Sequence, residues 1–310
     1  MIRSFDWRDF PILHRNRNEG IWLDPSLALT RWMALVPAGA LLASLAPATG
    51  IFTYVARDDG NGGEPIVGQL SHGAGSVKAK LTFITPERAI ETAGMSRLLD
   101  HLAKVAGERG AHNLLAEVPE VSPVYETLQR SGFAIYTRQR FWSLGVVEPD
   151  APDASSLWRQ VGEEDEQGVH YLYHSLVPAL VQQTEPPPWE NMNGVAYSED
   201  GEVVAYVHLA YGPTGILAQP FVHTGTDHAR DLLASLYEAI PNARSRPIYL
   251  CVRSHQAWLA PFLDELGFES GPRQAVMVKR LVVPLRDAVP ARLNNAGMEI
   301  TTTTTSFGKK

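Results

Sequence analysis

Apolar and polar positions along this chain follow an order of elements that runs through once and then begins again. Residues 2–5 predict a short strand, and Asp6 stands as N-cap to a helix over 7–17 that carries Phe10, Ile12 and Leu13. Residues 25–32 predict a second helix. Residues 51–56 and 66–70 are β-rich and flank the turn-forming stretch 58–63, and a third strand over 79–85 stops at Pro86. A long amphipathic helix then runs from Thr92 to Arg109. Met95, Leu98, Leu99, Leu102 and Val105 form its single apolar stripe, and Gly110 ends it. A strand over 114–118, a helix over 124–130 and a strand over 136–144 complete the round.

The stretch 146–156, rich in Pro, Asp and Ser, predicts a linker, placed at 148–156. Beyond it the order returns. A helical stretch carries Val169, Leu172, Leu176 and Leu180 before the break at Glu185 and the prolines after it. Strands follow over 194–198, 203–209 and 215–222, then a helix over 228–240, a strand over 248–252, a helix over 257–265 and a strand over 275–281. The expected organisation is therefore a first domain at 1–147, a second at 157–283 and a tail at 284–310. The tail's five consecutive threonines have no core-forming pattern. A cut near Asp150 is expected to leave a first half that keeps its structure.

The repeat is also visible residue by residue. Leu115, Leu128, Gly132, Phe133, Arg138 and Gln139 match Leu250, Leu263, Gly267, Phe268, Arg273 and Gln274 at one constant offset. Each half resembles a GNAT (acyl-CoA N-acyltransferase) domain. The residues that carry the likeness are the block from Gly94 to Leu102, Arg109-Gly-Ala, Leu114 to Val118 and Gly132-Phe133. The resemblance implies an α/β (α+β) fold of two tandem GNAT-like domains, each a mixed, mostly antiparallel sheet flanked by helices. It also implies that the fourth strand of a half splays from the fifth, and that acyl-CoA lays its pantetheine in the gap.

In that family the loop after the fourth strand holds the pyrophosphate on backbone amides at a helix N-terminus. Carried over, it places Ala93, Gly94, Met95 and Ser96 at the phosphates of acetyl-CoA, with Arg88 replacing the usual cation and Glu91 standing in that cation's slot. Strand amides at Phe83 and Ile84 would polarise the thioester carbonyl. Both halves have leucine, Leu128 and Leu263, where the family often has its tyrosine acid. Tyr125 is the alternative acid and Glu117 the candidate base. The second half aligns Asp227 with a glycine of the loop Thr224–Ala229, so its site is expected to be lost. The leading expectation is an N-acetyltransferase acting on a small-molecule amine or a peptide. The alternative is a non-catalytic relative that binds a ligand or a protein.

Composition adds little to this. Of 310 residues, 45% are hydrophobic and 20% charged, and the formal charge is −7. Residues 1–147 carry 15 Lys+Arg against 14 Asp+Glu, and residues 155–286 carry 9 against 15. The acidic second half suits solubility or a cationic substrate and disfavours nucleic acid. A single cysteine, Cys251, excludes an intramolecular disulfide and fits a cytoplasmic setting. The N-terminus lacks the apolar core of a signal peptide, and the apolar stretch 33–48 is too short and too broken by Pro and Gly to cross a membrane. His170 and His174 lie one helical turn apart, but without a third ligand no metal is expected. Gly73-Ala-Gly75-Ser76 reads as a turn, since no helix follows it.

Overall fold

The computed structural model describes residues 1–16, 18–31, 50–57, 64–144, 157–187, 192–243 and 246–281. The expected turn at 58–63, linker at 148–156 and tail at 284–310 lie outside the described residues. In the first half the strands are β1 (Ile2–Ser4), β2 (Ile21–Trp22), β3 (Ile51–Ala56), β4 (Ile66–Ser71), β5 (Lys78–Thr85), β6 (Asn113–Pro119) and β7 (Ala134–Leu144). Its helices are α1 (Phe10–Arg15), α2 (Pro25–Arg31), α3 (Ala93–Glu108) and α4 (Pro123–Arg130). The second half contributes β8 (Arg159–Gln160), β9 (Gly194–Glu199), β10 (Glu202–Tyr211), β11 (Ile216–Val222), β12 (Ile248–Arg253), β13 (Glu269–Ser270) and β14 (Gln274–Arg280). Its helices are α5 (Glu166–Leu176), α6 (Ala179–Thr184), α7 (Ala229–Ala239) and α8 (Ala260–Glu265). Among the described residues, no helix is long and apolar enough to cross a membrane.

The α3 stripe read from the sequence is the buried one: Met95, Leu98, Leu99, Leu102 and Val105 are all in the core. Thr92 caps the helix, its Oγ1 accepting from the Met95 amide at 3.4 Å. Each half opens with the same device. Arg3 makes a bidentate pair with the buried Asp9, whose Oδ2 also accepts the Asp6 amide at 3.0 Å. Arg159 holds Asp165 in the same way, and Asp165 accepts the Gly162 amide at 3.0 Å. The Arg159 hydrogen bonds hold the Asp165 carboxyl below its usual range; at Asp9 burial works the other way, and the Arg3 and backbone bonds outweigh it.

All the strands belong to one sheet, in the order β1-β3-β4-β5-β6-β14-β7-β12-β11-β10-β9-β8, with β13 added to β7 and β2 to β5. Pairing is parallel at β5–β6 and β11–β12 and antiparallel elsewhere. The centre of the order corrects the picture of two self-sufficient halves. The last strand, β14, lies between β6 and β7 of the first half, and β7 pairs onward with β12 of the second.

Each half thus completes itself with a strand of the other. Ala275 and Met277 of β14 belong to the core that holds α3, while Trp142 of β7 belongs to the core around α7 and α8. A third cluster joins Leu115 and Tyr136 to Val169, Tyr173, Phe221 and Val276. Part of the first half's core is thus encoded after residue 270, which bears directly on the expectation that a cut near Asp150 leaves that half structured.

Candidate functional site

The strands β5 and β6 run parallel only at Lys78–Lys80 against Asn113–Leu115 and part beyond that point, as the GNAT resemblance implies. Parting strands leave unpaired amides and carbonyls along the gap. Here the chain's own segment fills it. Ile21 lies opposite Ile84 and Trp22 opposite Phe83. The Leu23 amide donates to Thr82 O at 3.0 Å, and Leu23 O accepts the Glu117 amide at 2.9 Å, so one residue bridges both sides of the gap. Leu23 is buried, and the Trp22 and Phe83 rings meet at a tilt with their centroids 5.2 Å apart. Phe83 and Ile84, the expected carbonyl-polarising positions, are thus buried and face β2 on one edge and β4 on the other.

The remaining expected residues are spread over two places. Arg88 makes ion pairs with Glu19 and Glu64, its Nε reaching Glu64 Oε2 at 2.6 Å. Ala93, Gly94 and Arg88 line a cavity of about 240 Å³ with Arg57, Glu64 and Arg97. Ser96 is exposed beyond it, and the Met95 side chain points into the core. Gly94 is closely packed, since a Cβ there would stand 3.0 Å from Ile66 Cδ1.

Glu117 lies elsewhere. It is buried on the opposite side of the gap, its Oε2 accepting from Gln139 Nε2 at 2.6 Å and its Oε1 3.5 Å from Lys80 Nζ. The same ammonium is 3.5 Å from Asp24. Burial works against charge on Lys80, but Asp24 and Glu117 together raise its pKa. The hydroxyl of Tyr125 accepts from Gln129 at 3.0 Å and its ring packs on the first core, so the structure does not bring it to Glu117.

The second half shows a parallel splay. The strands β11 and β12 pair at Ile216–Ala218 against Ile248–Leu250 and then part. Even-numbered β11 amides point toward β12, as Ile216 does in donating to Pro247 O at 3.0 Å. The next such position that would face the gap is Pro220, which has no N–H, and the one after is Val222, whose amide donates to the buried Gln256 Oε1 at 3.0 Å. In the loop after β11, the Gly225 amide is taken by His223 Nδ1 at 3.1 Å, and Thr226 Oγ1 donates to Glu199 at 3.0 Å. Asp227 is exposed.

Between the halves, on the face covered by α5 and α6, lies a cavity of about 190 Å³. It is lined by Lys78, Lys80, Glu117 and Gln139 from the first half and by Tyr173, Glu185, His208, Cys251, Arg253 and His255 from the second. Arg253 Nη2 is 3.1 Å from Glu185 Oε1. Burial opposes the Glu185 charge, and Arg253 with Lys78 overcomes it and lowers the pKa. Burial pushes the Cys251 thiol up to about 12, which makes it a poor nucleophile.

The sequence reading did not find this cluster. Its one signal was charge inside apolar strands, at Lys78 and Lys80 in β5 and at Arg253 closing β12. His170 and His174 stack at 6.4 Å, and among the described residues no group of three His, Cys, Asp or Glu forms a metal site.

No family model matches the chain, and no curated protein matches it in sequence. Solved structures do. A GCN5-related N-acetyltransferase from Sphaerobacter thermophilus superposes with a TM-score of 0.53 at 14% identity, over 90% of this chain and 95% of that one. A tandem GNAT protein from the clavulanic acid biosynthesis pathway gives a TM-score of 0.48 at 16% identity, over 90% and 98%. The first likeness shows that this chain has the GNAT fold.

Proposed function

We propose that this chain is a GNAT-fold binding protein in which neither half carries out acyl transfer. The observation that supports this most directly is the bridge made by Leu23. Its amide and carbonyl hold Thr82 of β5 and Glu117 of β6 across the gap that would admit pantetheine. Entry of a cofactor there requires removing two backbone hydrogen bonds, each of about 0.5–1.5 kcal/mol. It also requires exposing the Leu23 side chain, at about 1.5–3 kcal/mol. In the second half Pro220 and Gln256 leave no described β11 amide free to polarise a thioester. The single cysteine, Cys251, supports a cytoplasmic setting.

Calorimetric titration of the full chain with acetyl-CoA tests this reading. No heat and no thermal shift are expected. Micromolar binding accompanied by acetylation of an amine would overturn it.

A second reading has its own observation. Arg57, Arg88 and Arg97 surround the α3 N-terminus beside Gly94, where a pyrophosphate would meet both cations and the helix dipole. In this reading the segment around Leu23 withdraws and acetyl-CoA enters. Phe83 and Ile84 then polarise its carbonyl, Glu117 takes a proton from the amine or peptide acceptor, and Tyr125, released from Gln129, protonates the leaving thiolate. The same titration decides between the two.

A further inference from the structure

The ionic groups around the cavity between the halves do not balance as hydrogen-bonding partners. Its carboxylates each have a cationic or hydrogen-bonding partner: Glu117 has Gln139 and Lys80, and Glu185 has Arg253. Two of its cations are not fully partnered. Arg253 is only 8% exposed, and its Nε and Nη1 meet no acceptor, although a guanidinium presents five N–H groups. The Lys78 ammonium also lines the cavity and makes no ion pair with any described residue. Burial, followed by the opposing pull of Glu185 and the repulsion of Lys80 and Arg253, leaves the Lys78 pKa below its usual value, and an anion beside it would relieve that repulsion.

Part of the wall is apolar, with Val177, Val181, Leu217 and Phe221, which suits a carbon skeleton. Guanidinium N–H groups without an acceptor, near an ammonium without an ion pair, suit the oxygens of an anion. An open groove of about 1380 Å³ shares Lys78, Pro186 and His208 with the cavity and provides the way in.

We infer that this cavity binds a small organic carboxylate, held by Arg253 and capped by Lys78. The inference supplies the ligand class of the proposed binding protein and rests on that reading.

Titration of the full chain with succinate, alongside butanediol as its uncharged analogue and inorganic phosphate, tests it. Succinate is expected to bind and to raise Tm, while butanediol does neither. Lys78→Met should weaken succinate by roughly tenfold or more without lowering Tm, since no described partner of Lys78 is lost. Arg253→Lys should abolish binding; should that variant not fold, Lys78→Met carries the test. No succinate binding, equal affinity in Lys78→Met, butanediol binding as well as succinate, or phosphate binding more tightly would each overturn the assignment. Acetyl-CoA binding with succinate binding retained would overturn only the non-catalytic reading.

Discussion

Gln139 and Gln274 lie opposite each other on β7 and β14, and their side chains join, Nε2 of Gln139 donating to Oε1 of Gln274 at 3.1 Å. They are equivalent residues of the two repeats, so the antiparallel pair β7–β14 brings each half's copy against the other. The local two-fold relationship is broken by partners. Gln139 also donates to Glu117 at 2.6 Å and receives the Cys251 thiol at 3.4 Å.

Replacement of the two should therefore be unequal. Gln139→Leu strips a buried carboxylate of its donor and is expected to cost about 1.5–3 kcal/mol, the range for a hydrogen bond to a charged group. Gln274→Leu removes a neutral bond and is expected to cost about 0.5–1.5 kcal/mol. Urea denaturation of both variants measures the difference; equal losses would mean that the Glu117 contact contributes nothing.

A fragment ending near residue 150 is expected not to fold on its own. It lacks β14, so the core positions of Ala275 and Met277 are empty and the facing edges of β6 and β7 are unpaired. Circular dichroism of the fragment, alone and mixed with a fragment starting near residue 151, checks this. Native-like signal should appear only in the mixture.

Much of the element order was legible because it depends on local periodicity: the α3 stripe and most strands fall where the alternation puts them. The match of Arg138-Gln139 to Arg273-Gln274 was legible as repetition but not as contact. Sequence order cannot tell whether a strand pairs within its own half or with the other, since both satisfy the same apolar pattern. The segment at β2 was missed for a related reason. Two residues give no period, and its partner Phe83 is remote in the chain. The Arg3–Asp9 and Arg159–Asp165 pairs have identical spacing and were available to inspection.

Crowding at Gly20 should loosen the bridge in the first-half gap. A Cβ there would collide with the Phe83 ring. Gly20→Val is expected to cost about 1–3 kcal/mol, the scale of overpacking. It should also speed hydrogen exchange of the Leu23 and Glu117 amides ahead of those in β4. Unchanged exchange at these two amides would show that β2 does not depend on this fit.

Stability should fall as pH is lowered from about 6.5 to about 4. Burial holds His208 down to about 4, and burial with the nearby Arg253 charge holds His255 down to about 4, against an ordinary 6.5. Between those values the unfolded chain takes up protons that the folded chain refuses, so the contribution is present above 6.5 and lost on acidification. The double variant His208→Gln/His255→Gln should flatten this part of a Tm-against-pH curve. A slope unchanged from the parent would assign it to other groups.

The interleaving of β14 between β6 and β7 also sets a schedule. During synthesis, the chain through β7 can form helices and hairpins, but its sheet keeps two open edges until the residues of β14 have left the ribosome. Closure of either core then depends on contacts between segments more than a hundred residues apart, which makes folding slow for the chain's size. The nascent protein must protect those edges while the residues between β7 and β14 are made, and a ribosome stalled in that interval would hold a chain with neither half finished.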